Sequence, residues 1–574
     1  MANINLSRAY QSVTFEGFGG IGSGADGGGV STAFLKNFRI DQNGSLVKRA
    51  GYDPILTLPE GKLRAIHAVS ESTVFALVGS GLYLIDPKLA TCTLCKTLAD
   101  IDSDACFFNY GDALYLIDGK EIYTYLNGEW VTAEGYVPLY GQNWDPSARG
   151  EVFEPINALS TRIRISYRVR NTTTTGIYIP YGIASLDAVY INGTSIALSN
   201  FSWKQSNLTL SVAKTLTTGD IVEVWFVPTV GYFKTPRTLA AAHTRAATFG
   251  SGTKGAEPSV LAFYGGEDPT EIFVSRHVDA EDFAHVQEVY TDAAPIYMLE
   301  TDAIYLDDSN SGITATCRSG PHLAVFTEGS TYLLIENEDG YPKLLTISQS
   351  AGCTQRDAAL ALENAPVAAS SRKILYWEPS VLYDNEYLPK CISKPIQDFL
   401  PESVDQGCVA YLRSKNELWF CFGNEDGVWV YNTELDAWYS FDGFSPDRLF
   451  TIGDEMAFVS GSTLYVFSAD SLSDNGKPIE ATVESGIIPF GPINRRKRLT
   501  RAILSFSPGD ELTLKTKDAH GNEVVTPMRD THGERLGYCE VRLPCLRSRY
   551  YSFSLSHTGV SNARVHSLTL TAVK

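Results

Sequence analysis

The sequence predicts an all-β protein: a β-propeller with an inserted β-sandwich domain and a C-terminal β-sandwich domain. Three observations predict it. Short runs of Val, Ile, Leu and Thr interleaved with aromatics, which include 30 Tyr and 27 Phe among 574 residues, alternate with the two-residue period of half-buried strands. A loose echo recurs along the chain, each copy a Gly or small polar turn, a β-branched or aromatic strand, then an acidic or Asn-containing turn. Two stretches break the echo and carry strand alternation of their own. Helical periodicity is confined to short candidates at 31–37 and 396–400.

Residues 1–60 read as a glycine-rich arm and an entry hairpin. The arm contains "GFGGIGSGADGGG", and the hairpin lies in "NFRIDQNGSLVKRAGYDP", two strands about Asn43-Gly44 followed by Lys48-Arg49, which starts the propeller. Residues 61–137 hold the first blades. There "SGLYLIDP" at 80–87 returns as "DALYLIDG" at 112–119, 32 residues later. Residues 138–232 read as an inserted β-sandwich, with plain alternation in "RIRISYRV" and "DIVEVWFV" and Asn-Gly and Thr-Gly-Asp turns. An insertion at a blade loop leaves the propeller core intact.

Residues 233–472 hold the remaining blades, with weaker copies "GSTYLLIEN", "PSVLYDNEY", "DGVWVYNTELDAWYSF" and "GSTLYVFSAD". Trp130 and Trp438 sit where kelch-like blades close on an aromatic. A row of separate β-sandwiches is the alternative arrangement. Recurrence at the spacing of four-stranded units, which need neighbours to bury their faces, favours the propeller. Residues 473–574 form the C-terminal β-sandwich.

Composition excludes several function classes. A net charge of −19 argues against a binder that works by neutralising phosphates over its whole surface, and leaves open a wall past which a polyanion slides. The ten Cys lie mostly in apolar strand-like runs, so reduced, packed thiols and synthesis in the cytosol are expected. The opening "MANINLSRAYQSVTFEG" shows no secretory leader, and no apolar run is long enough to span a bilayer. Asn171, Asn192 and Asn207 are therefore read as chance matches to a glycan acceptor.

Motifs of chemistry fail on context. Gly17, Gly19 and Gly22 spell G-x-G-x-x-G, with Asp41 about where a dinucleotide-binding acid belongs, but no helix opens at the third glycine and no βαβ alternation follows. Cys92 and Cys95 form a lone C-x-x-C without partner ligands. The turn from Asp307 to Gly312 begins like a calcium loop, yet its twelfth position is Arg318. His277 and His285 flank an acidic turn with Asp279, Glu281 and Asp282, read as surface residues. No nucleophile elbow or zinc-protease motif is present. The expectation is no catalytic residue, no cofactor and no metal.

One charged feature is local: Arg495, Arg496, Lys497, Arg498 and Arg501 concentrate five positive charges in an acidic chain. They read either as a solvated strand edge blunted against aggregation or as a contact with an acidic partner surface or DNA.

Several segments, in order, resemble one family. "NFRIDQNGSLVKRAGYDP" after Phe18–Gly20, "EIFVSRHVDAEDF", "HLAVFTEGSTYLLI", "AGCTQRDAALAL", "ILYWEPSVLYDNEYLPKCISKPIQ" and "NRRKRLTRAILSF" are similar to stretches of tailed-bacteriophage tail nozzle and head-closure proteins, the packaged-DNA stabilisation or tail tubular B group. The inserted sandwich departs from the simplest members. The resemblance implies a structural virion protein of the tail, made in the host cytoplasm and not an enzyme. It implies a homo-hexameric ring below the portal and adaptor, in contact with other tail proteins. Double-stranded DNA would pass through its channel without sequence-specific binding and without a membrane partner. The ring would retain the packaged genome and open for ejection, and the arm's glycines would let it adapt to ring neighbours. The rival expectation is a tail-associated propeller that binds or hydrolyses host-surface glycans; a cellular kelch-type adaptor fits less well, because the blade sequences are irregular.

Overall fold

The computed structural model describes residues 10–22, 31–99, 102–144, 151–170, 176–179, 181–205, 209–229, 241–250, 260–275, 296–299, 301–307, 311–336, 342–380, 387–401, 407–423, 427–507, 511–530, 537–545 and 547–573. The two acidic-turn histidines, His277 and His285, with Asp279, Glu281 and Asp282, lie outside these, as do Asn171 and Asn207.

Among the described residues, alternating strands and positive-φ turns build seven four-stranded antiparallel blades. Blade 1 runs Leu63–Ser70, Thr73–Val78, Gly81–Asp86, Thr91–Thr97, and blade 2 runs Cys106–Tyr110, Ala113–Ile117, Ile122–Leu126, Glu129–Thr132. Blade 3 is Arg245–Phe249, Val260–Tyr264, Glu271–Val274, Ala303–Tyr305, and blade 4 is Ala315–Ser319, His322–Phe326, Thr331–Glu336, Pro342–Ser348. Blade 5 is Ala359–Leu362, Ala365–Ser370, Lys373–Pro379, Tyr387–Cys391, and blade 6 is Cys408–Leu412, Glu417–Cys421, Val428–Asn432, Ala437–Phe441. Blade 7 takes Arg448–Ile452, Glu455–Ser460 and Thr463–Phe467 from late in the chain and its outer strand, Tyr52–Thr57, from near the start.

The first strands of the blades touch in a closed circle, blade 7 against blade 1. Apolar side chains fill the gaps between blades: Phe75 and Leu77 of blade 1 pack with Leu116, Tyr123 and Trp130 of blade 2. Borrowing the last strand from the other end of the chain ties the circle shut.

The echo is a third-strand signature in blades 1, 4, 6 and 7, but "DALYLIDG" falls on the second strand of blade 2. The 32-residue spacing is thus not the blade period. Trp130 and Trp438 both sit on outermost strands, 5% and 1% exposed.

The insertion forms two sheets between blades 2 and 3. One orders Glu151–Val152, Leu139–Trp144, Ile163–Arg168, Ile221–Pro228, Ile183–Ile191, Thr194–Ser195; the other orders Gly176–Tyr178, Thr209–Val212, Phe201–Lys204. Ile165, Tyr167, Leu210, Val224 and Phe226 pack between them. Its neck is tied down by buried Arg164, which donates to the Val137 carbonyl (3.1 Å), Tyr136 Oη (2.9 Å) and Glu223 Oε1 (3.2 Å). Asn192, with Gly193 at positive φ, is a hairpin turn residue whose amide bonds Asp220 (2.9 Å).

The N-terminal segment corrects three expectations. Gly17–Gly22 is no free arm: Phe18 and Ile21 are buried, Ile21 N donates to the Trp438 carbonyl (2.9 Å), and a Cβ on Gly20 would lie 2.6 Å from Trp438 N. Thr32–Lys36 is a strand rather than a helix, because it is the bridge between two sheets: it runs parallel to Ala437–Phe441 of blade 6 and antiparallel to Ala481–Ser485. The entry hairpin, Phe38–Ile40 with Leu46–Lys48, does not open the propeller; it pairs with the last strand, Arg564–Val573. Its Asn43-Gly44 turn has positive φ only at Gly44, with Asp41 Oδ1 accepting from the backbone of Asn43 (2.9 Å) and Ser45 (2.8 Å). Residues 394–399 form a short 3-10 helix.

The C-terminal sandwich has one sheet ordered Gly537–Arg542, Lys497–Phe506, Arg564–Val573 and the entry hairpin, with Tyr10–Phe15 also on Arg564–Val573 and Arg547–Ser548 on Lys497–Phe506. The other, Ala481–Ser485, Tyr551–His557, Glu511–Asp518, Glu523–Arg529, continues through Thr32–Lys36 into blade 6 as one nine-stranded sheet. Ser473–Asp474, placed by the sequence in the sandwich, pairs instead with Tyr52 on the blade 7 sheet. Buried pairs clamp the junction. Arg49 donates to Asp474 (2.7 and 2.5 Å), Asn37 Oδ1 (2.8 Å) and the Asp442 carbonyl (2.7 Å). Arg39 forks onto Glu417 (2.7 and 3.1 Å), which also accepts from Trp419 Nε1 (2.9 Å) and Tyr439 Oη (2.8 Å). Lys48-Arg49 are therefore buried structural cations, 3% and 2% exposed. All ten cysteines are free thiols.

Candidate interaction surface

Strand Lys497–Phe506 carries most of the basic run. Strict alternation would send Arg498 and Arg501 to opposite faces, since they are an odd number of residues apart. Against Arg564–Val573, however, Arg498 faces Val573, Leu499 faces Ala572 and Arg501 faces Thr571. One extra residue, Thr500, is accommodated as a bulge. Both arginines consequently point to solvent, while Leu499 and Ala502 are wholly buried in the sandwich core.

The five predicted residues do not stay together. Arg495 and Arg496 lie exposed in the turn before the strand. Lys497 points inward, 1% exposed, with Nζ donating to the carbonyls of Pro489 (2.7 Å) and Pro492 (2.5 Å), so it is a turn anchor and leaves the surface. Three arginines that sequence reasoning missed replace it. Arg542 pairs across from Arg501, Arg547 across from Arg498, and Arg549 follows; all are exposed. The signal was present in "VRLPCLRSRY", but its relevance rests on the antiparallel register.

Arg498, Arg501, Arg542 and Arg547 thus share one face of the sandwich's outer sheet, and Arg495, Arg496 and Arg549 in the flanking turns extend it into a band of seven arginines. Among the described residues, Arg501 alone of the seven has an ion pair, with Glu540 at 2.8 Å; Arg498 Nε also donates to the Cys545 carbonyl (3.1 Å). Like charges directly across strands are destabilising, so the core of the sandwich holds this band against its own repulsion.

A second charged cluster sits at one mouth of the propeller channel. Arg245, at the start of the blade 3 inner strand, reaches Asp357 before blade 5 (2.9 Å) and Asp104 before blade 2 (3.3 Å); Lys62 (3.2 Å) and Arg356 (3.6 Å) also approach Asp104. Burial works to raise the Asp104 carboxyl, but Arg245, Lys62 and Arg356 outweigh it and hold the group below the usual range. Burial likewise opposes the Arg245 charge, and Asp357 overcomes it, raising the guanidinium. Deeper in, Leu360, Val409, Tyr411 and Phe450 share the lining of a cavity of about 570 Å³ with Arg413, Ser414, Thr451 and Asp454. Between the first strands of blades 1 and 2, His67 stacks on Phe107 (6.1 Å between ring centroids), and burial lowers its pKa.

No family model matches this chain. No curated protein matches it either. Among solved structures it is similar to a chain in a crystal structure of the mitotic checkpoint complex, at 9% identity and TM-score 0.35, covering 75% of this chain and 95% of that one. The WD40 domain of Toxoplasma gondii coronin is similar at 10% identity and TM-score 0.33, covering 76% and 87%. An exo-beta-1,3-galactanase from Phanerochaete chrysosporium is similar at 11% identity and TM-score 0.18, covering 82% and 96%.

Proposed function

We propose that this chain is a structural component of a bacteriophage tail, a nozzle or head-closure protein that assembles as a ring around the DNA channel. The observation that carries the reading is the nine-stranded sheet running from blade 6 through Thr32–Lys36 into the C-terminal sandwich. It makes propeller and sandwich one continuous β framework, suited to bearing load between neighbours. The ordered sequence resemblances supply the tail context. The propeller's own channel is strapped across one mouth by the Arg245 cluster, so in this reading DNA passes between side-by-side propellers of a closed ring and not through each one.

The test is the mass of the purified chain, alone and mixed with portal–adaptor complexes, together with negative-stain images. Rings of one defined size, formed alone or only on the adaptor, are expected. A persistent monomer that ignores the adaptor and binds or cleaves host glycans refutes the proposal in favour of a glycan-directed tail propeller.

A further inference from the structure

We propose that the arginine band of the C-terminal sandwich, Arg495, Arg496, Arg498, Arg501, Arg542, Arg547 and Arg549, binds the phosphate backbone of double-stranded DNA, independently of sequence. It rests on the tail reading for the presence of DNA, and names the one part of an acidic chain that would hold it.

Four observations point the same way. The bulge at Thr500 gathers Arg498 and Arg501 on one face, two ladder positions apart along Arg564–Val573, or roughly 7 Å at the rise of a strand. Across the sheet, Arg542, Arg501, Thr571 and Ser12 lie in one row over four strands, so guanidinium forks continue into hydroxyls, both of which are ordinary phosphate donors. The band is purely arginine, because the run's only lysine is turned inward; guanidiniums bind phosphate bidentately and are more weakly hydrated than ammonium groups.

Last, like charges meet across the strands, and Glu540 is the only carboxylate paired into the band among the described residues. A bound polyanion would relieve that repulsion. The band lies on a sheet, with no helix beside it among the described residues to enter a groove, so backbone contact rather than base readout is the expected mode. With a net charge of −19 over the chain, DNA would be repelled elsewhere and held at this face.

The test is fluorescence anisotropy of a labelled random-sequence duplex with the full chain across a salt series from low to physiological concentration. R498Q/R501Q/R542Q alters exposed side chains only, and K204Q/K214Q on the inserted sandwich removes two exposed positive charges away from the band. Far-UV circular dichroism checks folding. Wild type and K204Q/K214Q are expected to bind, with log affinity falling linearly in log salt. The triple variant should bind at least 10-fold more weakly at low salt, and its slope should be shallower by about 2.7, at ~0.9 per phosphate contact.

Absence of wild-type binding at low salt, or equal binding by the triple variant, overturns the proposal. So does a triple variant that differs only in self-association or adaptor binding, which would assign the band to an acidic protein. Rings that form without DNA binding sink this inference alone; DNA binding through the band by a chain that never forms rings sinks the tail-ring reading alone.

Discussion

Replacing Arg39 with Met tests whether the entry hairpin is a clamp between sandwich and propeller. In the native chain the Glu417 carboxylate is 2% exposed and accepts from Arg39 twice, from Trp419 Nε1 and from Tyr439 Oη. Arg39 also lies over the Phe441 and Trp419 rings, 5.0 and 5.9 Å from their centroids. Met fills much of the volume but leaves a buried carboxylate facing only neutral donors. Stranding one partner of a buried pair costs about 3–5 kcal/mol. For a urea m-value of about 3 kcal/mol/M, the midpoint of the transition that releases this junction falls by roughly 1–1.7 M.

Trp419, hydrogen-bonded to the same carboxylate, makes tryptophan fluorescence during urea titration a direct assay. Adding E417Q to R39M neutralises the stranded charge, so the double variant should be more stable than the sum of the single losses by about 1–3 kcal/mol. An R39M loss below about 1 kcal/mol, or a strictly additive cycle, would refute the clamp argument.

Tyr52→Ala should cost about 3–5 kcal/mol, because Tyr52 packs edge-on against Phe444, Phe458, Tyr465 and Phe467 and its hydroxyl donates to the Gly443 carbonyl (2.8 Å); faster proteolysis next to the closing strand is the readout. His67 has a folded pKa below its ordinary value of about 6.5, so below that pH the unfolded chain takes up the proton first and stability falls with pH. Urea midpoints from pH 7.5 to 5.5 should decline less in His67→Phe than in wild type. Asp104, held below the usual carboxylate range, contributes stability at neutral pH that is lost as pH falls through the folded pKa, below about 3.9. Asp104→Asn should therefore lower the melting temperature at pH 7, with a loss of about 1 kcal/mol or less for a partly exposed network, and have little effect near pH 3.

What the sequence determined by itself is what neighbours along the chain can settle. Alternation in "RIRISYRV" and "DIVEVWFV" marked Ile163–Arg168 and Ile221–Pro228 as strands, and the Asn-Gly pair of the insertion marked a turn at Asn192-Gly193, with positive φ at both residues. These are short-range effects of side-chain period and backbone sterics, so they survive without knowing the partner strand. The tertiary structure decided everything that depends on register or on which distant segments meet. Thr32–Lys36 became the bridge strand, Tyr52–Thr57 closed the propeller, and Lys48-Arg49, expected to start the propeller, entered a buried network.

The basic surface shows both sides. Its charge was legible in 495–501, but which arginines share a face was not. The bulge at Thr500 reverses the parity of Arg501, Lys497 turns inward, and antiparallel pairing carries Arg542 and Arg547 to their places opposite Arg501 and Arg498. A one-residue slip moves a side chain to the other face of a sheet. That is why composition announces a patch, whereas only the folded ladder composes it.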